Sequence, residues 1–256
     1  MAYDTIRIEG EDAPVARLVL AREPLNILTI DMLREIADAL DRLAGREDLR
    51  VLVLAADGKA FSAGVDVEDH VDERVGPMIS AFHGVFRRLA DLAPPTVALV
   101  QGPALGGGCE LACFCDLVVA SDTARFGQPE IQLGVFPPIT AAAFPYFVDG
   151  KKTLELLLTG EPVDAEEARR IGLVNRVWPG GEFDDRAEAF VDHLARKSAV
   201  ALRLAKKAYY AGLDVPFDEA LARVEEIYLD ELMASHDANE GIAAFREKRE
   251  PEWRDA

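Results

Sequence analysis

Apolar and polar positions along the chain alternate between two periods, and the changes of period mark out the elements. Asp4–Glu9 and Val15–Leu20 read as two strands of a hairpin, with Gly10 to Pro14 as the turn. Met32, Leu33, Ile36, Ala39, Leu40 and Leu43 recur at helical spacing, behind Thr29 or Asp31 as N-cap and ahead of Gly45 as stop. Val51–Ala56 is apolar throughout, the pattern of a strand covered on both faces. Met78–Leu92 is an amphipathic helix that Pro94 and Pro95 end. Thr96–Val100 and Leu117–Ser121 are further short buried strands, Glu110–Cys115 reads as a short helix, and Ile131–Thr140 opens another with proline near its first turn. Lys151–Leu158, Ala165–Gly172 and a strand over Leu173–Val177 close the core. From Glu182 onward the pattern is helical, through Ala201–Tyr210, Phe217–Met233 and Ile242–Phe245, with breaks at Asp214 to Phe217 and Ser235 to Ala238. The class is α/β, with a core over 1–195 and a C-terminal helical region over 196–256.

Two strand ends break this pattern with small residues. After Val51–Ala56 comes Gly58-Lys-Ala-Phe-Ser-Ala-Gly-Val-Asp66, and after Thr96–Val100 comes Gly102-Pro-Ala-Leu-Gly-Gly-Gly-Cys-Glu110. The two strands start about 45 residues apart, at Val51 and Thr96. That period suits a stack of ββα or βα turns better than a doubly wound sheet. Three adjacent glycines, Gly106 to Gly108, at a strand-to-helix junction bring backbone close to a ligand and present amides that lack an intrahelical partner. The string is neither G-x-x-x-x-G-K-[ST] nor G-x-G-x-x-G, so it is no phosphate or dinucleotide loop. A carboxylate, Glu110, follows instead, with a second, Glu130, 20 residues on in the turn-rich Ala124–Glu130. Amide donors beside carboxylates suit a carbonyl that gains negative charge while a proton moves. The competing reading is that the glycines serve tight helix–strand packing and that both glutamates are solvated.

Composition narrows the classes. The 256 residues hold 28 Lys+Arg against 46 Asp+Glu, a formal charge of -18, which argues against a general nucleic-acid binder and an anionic membrane surface. No apolar run reaches the length of a membrane span, and Met1 to Ile6 has neither the basic nor the apolar region of a secretory signal. Cys109, Cys113 and Cys115 match no common zinc spacing and read as small buried residues of a reducing cytosol, so no metal is expected and the localisation is cytoplasmic. His70, His83, His193 and His236 lie in separate segments; His70 and His83 flank the region after the first small-residue loop.

Six segments, in order, resemble the crotonase family, the enoyl-CoA hydratase/isomerase superfamily. They are Ala60-Phe-Ser-Ala-Gly-Val-Asp66, Gly102 to Ala112, Phe126-Gly-Gln-Pro-Glu130, Thr159 to Ala168, Gly172 to Val177 and Glu240 to Arg249. The resemblance implies a crotonase fold, a right-handed stack of ββα turns with a C-terminal helical trimerisation region. It implies reversible hydration of a 2-enoyl-CoA, with the backbone amides of Ala63 and Gly107 as oxyanion hole. Glu110 and Glu130 would be the catalytic pair, one activating water for attack at the β-carbon, the other positioning it and supplying the α-proton. Coenzyme A, as part of the substrate and with no prosthetic group, would lie along Lys59, Ala60, Phe61, Ser62, Ala63, Asp66 and Val67. Phe245 and Lys248 would reach it from a neighbouring subunit of a homotrimer or a hexamer.

One stretch departs from the pattern. Where many hydratases carry a glycine-rich string after the second glutamate, this chain has Val135-Phe-Pro-Pro-Ile-Thr140. Phe136, Pro137 and Pro138, with His83, are the expected acyl pocket, stiffened by the prolines. Gly-Val-Phe-Pro-Pro is similar to the cyclohexa-1,5-diene-1-carbonyl-CoA hydratase subgroup and implies a flat cyclic dienoyl substrate. The alternatives are an enoyl-CoA isomerase of the same fold, which usually manages with one of these carboxylates, and a non-catalytic acyl-CoA- or RNA-binding relative.

Overall fold

The computed structural model describes residues 3–256; Met1 and Ala2, at the start of the expected core, lie outside it. β1 (Ile6–Glu9) and β2 (Val15–Leu20) pair antiparallel, as the hairpin pattern predicts. β3 (Val51–Ala56), β4 (Thr96–Val100), β6 (Leu117–Ser121) and β9 (Arg176–Trp178) then add in parallel, giving a six-stranded sheet of order β1-β2-β3-β4-β6-β9. The order follows the chain without reversing, so the sheet has no topological switch point of the doubly wound kind. A smaller sheet, β5 (Ala104–Leu105), β7 (Arg125–Gly127) and β8 (Val163–Asp164), forms from the excursions between those strands. Two isolated parallel bridges, Leu28 with Val65 and Ser62 with Ala104, continue it backwards. Each turn of the chain thus leaves a strand in the large sheet and a rung in the small one. The small-residue loops fall on the rungs.

The apolar run of β3 is explained by two covers. Leu52 and Leu54 join the main core with α1 (Ile30–Ala44) and α2 (Val75–Asp91), while Val51 and Val53 pack with Val191 of α7 (Phe183–Ala195) on the other face. Thr29 is the N-cap of α1, its hydroxyl accepting from Met32 N at 3.3 Å, and all six expected apolar positions of that helix are buried.

Three boundaries differ from the sequence pattern. α3 runs over Gly107–Cys113 rather than from Glu110, because the surrounding core imposes helix on glycines of low propensity. The expected strand Leu173–Val177 begins at Arg176: Leu173 and Val174 are buried as core, and Asn175 accepts from Val118 N at 2.7 Å before pairing starts. The helix expected to open over Ile131–Thr140 divides into a 3-10 turn, Pro129–Leu133, and α4 (Pro138–Ala143), separated by Gly134 at φ 78°. α5 (Gly150–Thr159) and α6 (Ala165–Arg170) follow. The C-terminal helices are α8 (Ala199–Ala211), α9 (Phe217–Glu226), continued by a π turn over Ile227–Leu232, and α10 (His236–Glu247). Asp116 ties α8 to the core: it pairs with Lys206 at 2.8 Å, accepts from the Tyr210 hydroxyl at 2.8 Å and accepts from Thr96 N at 2.7 Å.

Candidate active site

The chain leaves β5, turns at Gly106 with φ 53° and enters α3 at once. A side chain at Gly107 would lie 2.7 Å from Val65 Cγ2 and 2.9 Å from Phe82 Cζ, so only glycine lets this backbone reach the loop after β3. The junction sets two amide-bearing segments side by side.

The two amides expected to form the oxyanion hole differ in environment. Gly107 N–H has no acceptor among the described residues, but Ala63 N–H donates to Leu25 O at 2.9 Å and is unavailable. Further along this loop, Val65 N–H has no acceptor among the described residues. Leu28 bridges the loop by donating to Gly64 O at 2.9 Å and accepting from Asp66 N at 3.0 Å, so the polar groups of Val65 itself face away from Leu28. Asn26, fully buried with φ 49°, holds the loop's base. Its Nδ2 donates to Asp57 O at 2.7 Å and Ala60 O at 3.0 Å, and its carbonyl accepts from Ser62 Oγ at 2.7 Å. Neither residue is among the site residues expected from the sequence. The signal for Asn26 is a lone amide in the apolar Leu25–Leu28; the signal for Val65 is the two-residue alternation along an extended loop.

Glu110 lies in the first turn of α3, 1% exposed, its Oε1 accepting from Thr140 N at 2.7 Å. Burial pushes its carboxyl up to about 8, against the Thr140 amide, and the nearby Glu130 adds to the rise. Glu130 sits in the 3-10 turn after Pro129, against the Gly106 backbone. Burial raises it to about 7, and its Oε2 is buried with no partner among the described residues. Neither glutamate is a solvated surface group. Both face one cavity of about 360 Å³, with Ala63, Gly64, Val65, Gly106 and Gly107 in its floor.

The walls of that cavity are apolar. Met78, Ile79 and Phe82 come from α2, Val67 and His70 from the turn before it, and Leu133, Val135, Phe136, Pro137 and Pro138 from the segment after Glu130. Phe136 stands at the mouth, 64% exposed. His83, expected in the pocket, is not in its lining. The stripe facing the cavity is Val75, Met78, Ile79 and Phe82, and the next residue lies a further 100° or so around the helix. His70 is the histidine at the cavity.

The residues expected to hold coenzyme A divide by environment. Lys59 and Val67 are exposed, whereas Ala60, Phe61 and Ser62 are buried, so those three offer only backbone. Asp66 accepts from Glu68 N at 3.1 Å and caps the Val67–His70 turn. Phe245, 86% exposed, and Lys248 at the end of α10 are not brought to this cavity; Phe245 borders a separate apolar one with Ile242 and Trp253. A cleft of about 660 Å³ at the edge of α7 holds Arg7 and Arg17, but both are already paired, with Asp57 and Glu9 and with Glu188.

Two unpartnered amides facing two carboxyls with raised proton affinity, in a largely apolar cavity, can stabilise a developing oxyanion while protons are exchanged with a neighbouring carbon or water. The family model described as enoyl-CoA hydratase/isomerase matches residues 10–256. The chain is 38% identical over 256 residues to a probable enoyl-CoA hydratase of Mycobacterium bovis, covering 99% of each. It is also 38% identical over 245 residues to a cyclohexa-1,5-dienecarbonyl-CoA hydratase of Thauera aromatica, covering 94% of this chain and 93% of that one. A solved enoyl-CoA hydratase of Mycobacterium smegmatis superposes with a TM-score of 0.91 at 33% identity, over 98% of this chain and 99% of the other.

Proposed function

The chain belongs to the enoyl-CoA hydratase/isomerase family, and we propose that Glu110 and Glu130 add water to an enoyl-CoA whose thioester oxygen is held by the amides of Val65 and Gly107. It is a hydro-lyase acting on enoyl-CoA thioesters. The thioester carbonyl accepts both N–H groups. One carboxylate takes a proton from water as the water oxygen bonds to the β-carbon, and the π electrons move to the thioester oxygen as an enolate. Its collapse takes a proton at the α-carbon from the other carboxyl. Each oriented donor on such an oxygen contributes about 3 kcal/mol in favourable cases. The observation that carries this reading is the paired carboxyls, raised to about 8 and about 7 around one cavity: near neutrality the pair can give one proton and take one. An isomerase usually manages with one such carboxyl.

The acyl group is a flat cyclic dienoyl. Pro137 and Pro138 stiffen the wall opposite Met78 and Phe82, and the Thauera aromatica relative, which is named for such a substrate, supports the same class. Coenzyme A lies along the backbone of Ala60 to Val67, with the exposed Lys59 for a phosphate. The exposed Phe217 and Phe245 on the C-terminal helices support assembly into trimers or hexamers, in which Phe245 and Lys248 serve a neighbour's coenzyme A. Three free buried thiols support a reducing, cytoplasmic compartment. Among the described residues no helix is long and apolar enough to cross a membrane.

The test offers crotonyl-CoA and cyclohexa-1,5-diene-1-carbonyl-CoA side by side, follows mass and absorbance, and includes Glu110→Gln and Glu130→Gln as controls. Gain of one water on the cyclic diene, abolished in both variants, is expected. Hydration of the linear substrate alone overturns the cyclic assignment, and full activity in either variant overturns the two-glutamate mechanism.

A further inference from the structure

Thr140 is fully buried, and its hydroxyl has no hydrogen-bond partner among the described residues. Its own N–H already donates to Glu110 Oε1 at 2.7 Å, so the same residue carries Oγ1 alongside that carboxyl. A buried hydroxyl without a partner is unfavourable, and a valine would fill the same volume without that cost. The polar group close at hand is the carboxyl that the backbone of Thr140 already holds. We propose that Thr140 is a positioning residue for the hydration: its hydroxyl, unpartnered here, turns onto the adjacent Glu110 carboxyl during the reaction and holds it in one rotamer through both of its protonation states.

A hydroxyl is suited to this because it both donates and accepts. It donates to the ionised carboxylate and accepts from the protonated acid, whereas the N–H serves only the first. The titratable groups that face Glu110 are Glu130 from the Pro129–Leu133 turn, His70 at the cavity and Cys109 on its own helix. α4 brings none, and α2 faces the cavity with Met78, Ile79 and Phe82.

The inference rests on the two-glutamate reading, and the experiment separates the two. Thr140→Val, Thr140→Ser and Glu110→Gln are compared with the parent for kcat and KM across pH, with thermal melting as a check on folding. Thr140→Val is expected to lower kcat about fivefold or more, the rate equivalent of one neutral hydrogen bond, at a KM within about twofold. The limb of the pH profile that belongs to Glu110 should move to higher pH by about half a unit or more, because a donor to the ionised form is lost. Thr140→Ser should restore both. An unchanged kcat and profile in a folded Thr140→Val, with Glu110→Gln inactive, overturns the role of Thr140 alone, as does a loss that serine does not restore and that leaves the profile in place. An active Glu110→Gln overturns the mechanism beneath it.

Discussion

The two carboxyls of the site are held in opposite ways. Glu110 is on a helix whose seven residues are all buried, and its oxygen is bonded to the amide of Thr140. Glu130 is on a 3-10 turn with no buried residue, and the chain beyond it, Ile131 to Phe136, is exposed. Both nevertheless have raised proton affinity from burial, Glu130 because the cavity encloses its side chain and leaves Oε2 without a partner. The contrast teaches a division of labour. In the proposed hydration the α3 side sets the position of the reacting groups, and the Glu130 side carries a carboxyl on the segment proposed as the substrate wall.

The comparison breaks most severely when either carboxyl is neutralised. Glu110→Gln and Glu130→Gln should each lower kcat by about a thousandfold with little change in KM, as loss of a general acid or base does. Stability separates the two regions. The Glu110 carboxyl stands at about 8 in the fold against its ordinary 4.5. The native state therefore binds more protons than the unfolded one between those values, and stability falls as pH rises through that window. Glutamine does not titrate, so Glu110→Gln should melt several degrees above the parent at pH 8 and close to it at pH 4.5, read by calorimetry. The half-buried Glu130→Gln should show a smaller gain.

A smaller effect is expected on the amide side. Gly107→Ala places a methyl 2.7 Å from Val65 Cγ2 and 2.9 Å from Phe82 Cζ, which displaces one donor from the oxyanion. A loss of about a hundredfold in kcat, with binding of free coenzyme A nearly unchanged, is the expected result of single-turnover and calorimetric measurements. Retention of full kcat would remove Gly107 from the site.

The smallest effect concerns the wall that carries Glu130. Pro138→Gly frees the first residue of α4 and loosens the segment opposite α2. The ratio of kcat/KM for cyclic over linear enoyl-CoA should fall by about tenfold, the scale of one packing contact, while the pH profile set by the glutamates stays in place. A moved profile with an unchanged ratio would show that the segment serves the carboxyl rather than the acyl group.

What the sequence by itself determined is whatever depends on neighbours a few residues away. The α1 stripe from Met32 to Leu43, the doubly covered β3, the glycines at the head of α3 and both glutamates are readable because periodicity and turn chemistry are local. Only the tertiary structure decided which amides are free and which side chains face the cavity. Ala63 and Val65 are equally plausible donors in a string, but Leu25 occupies the first and the bridge to Leu28 turns the second outward. His83 and His70 were both near the acyl region in sequence, and the rotation of α2 excludes the first. The proton affinities of Glu110 and Glu130 come from burial by segments distant in the chain, α2 and α4 among them. Hydrogen-bond direction and desolvation belong to whichever segment lies opposite, and no local pattern states what that segment is.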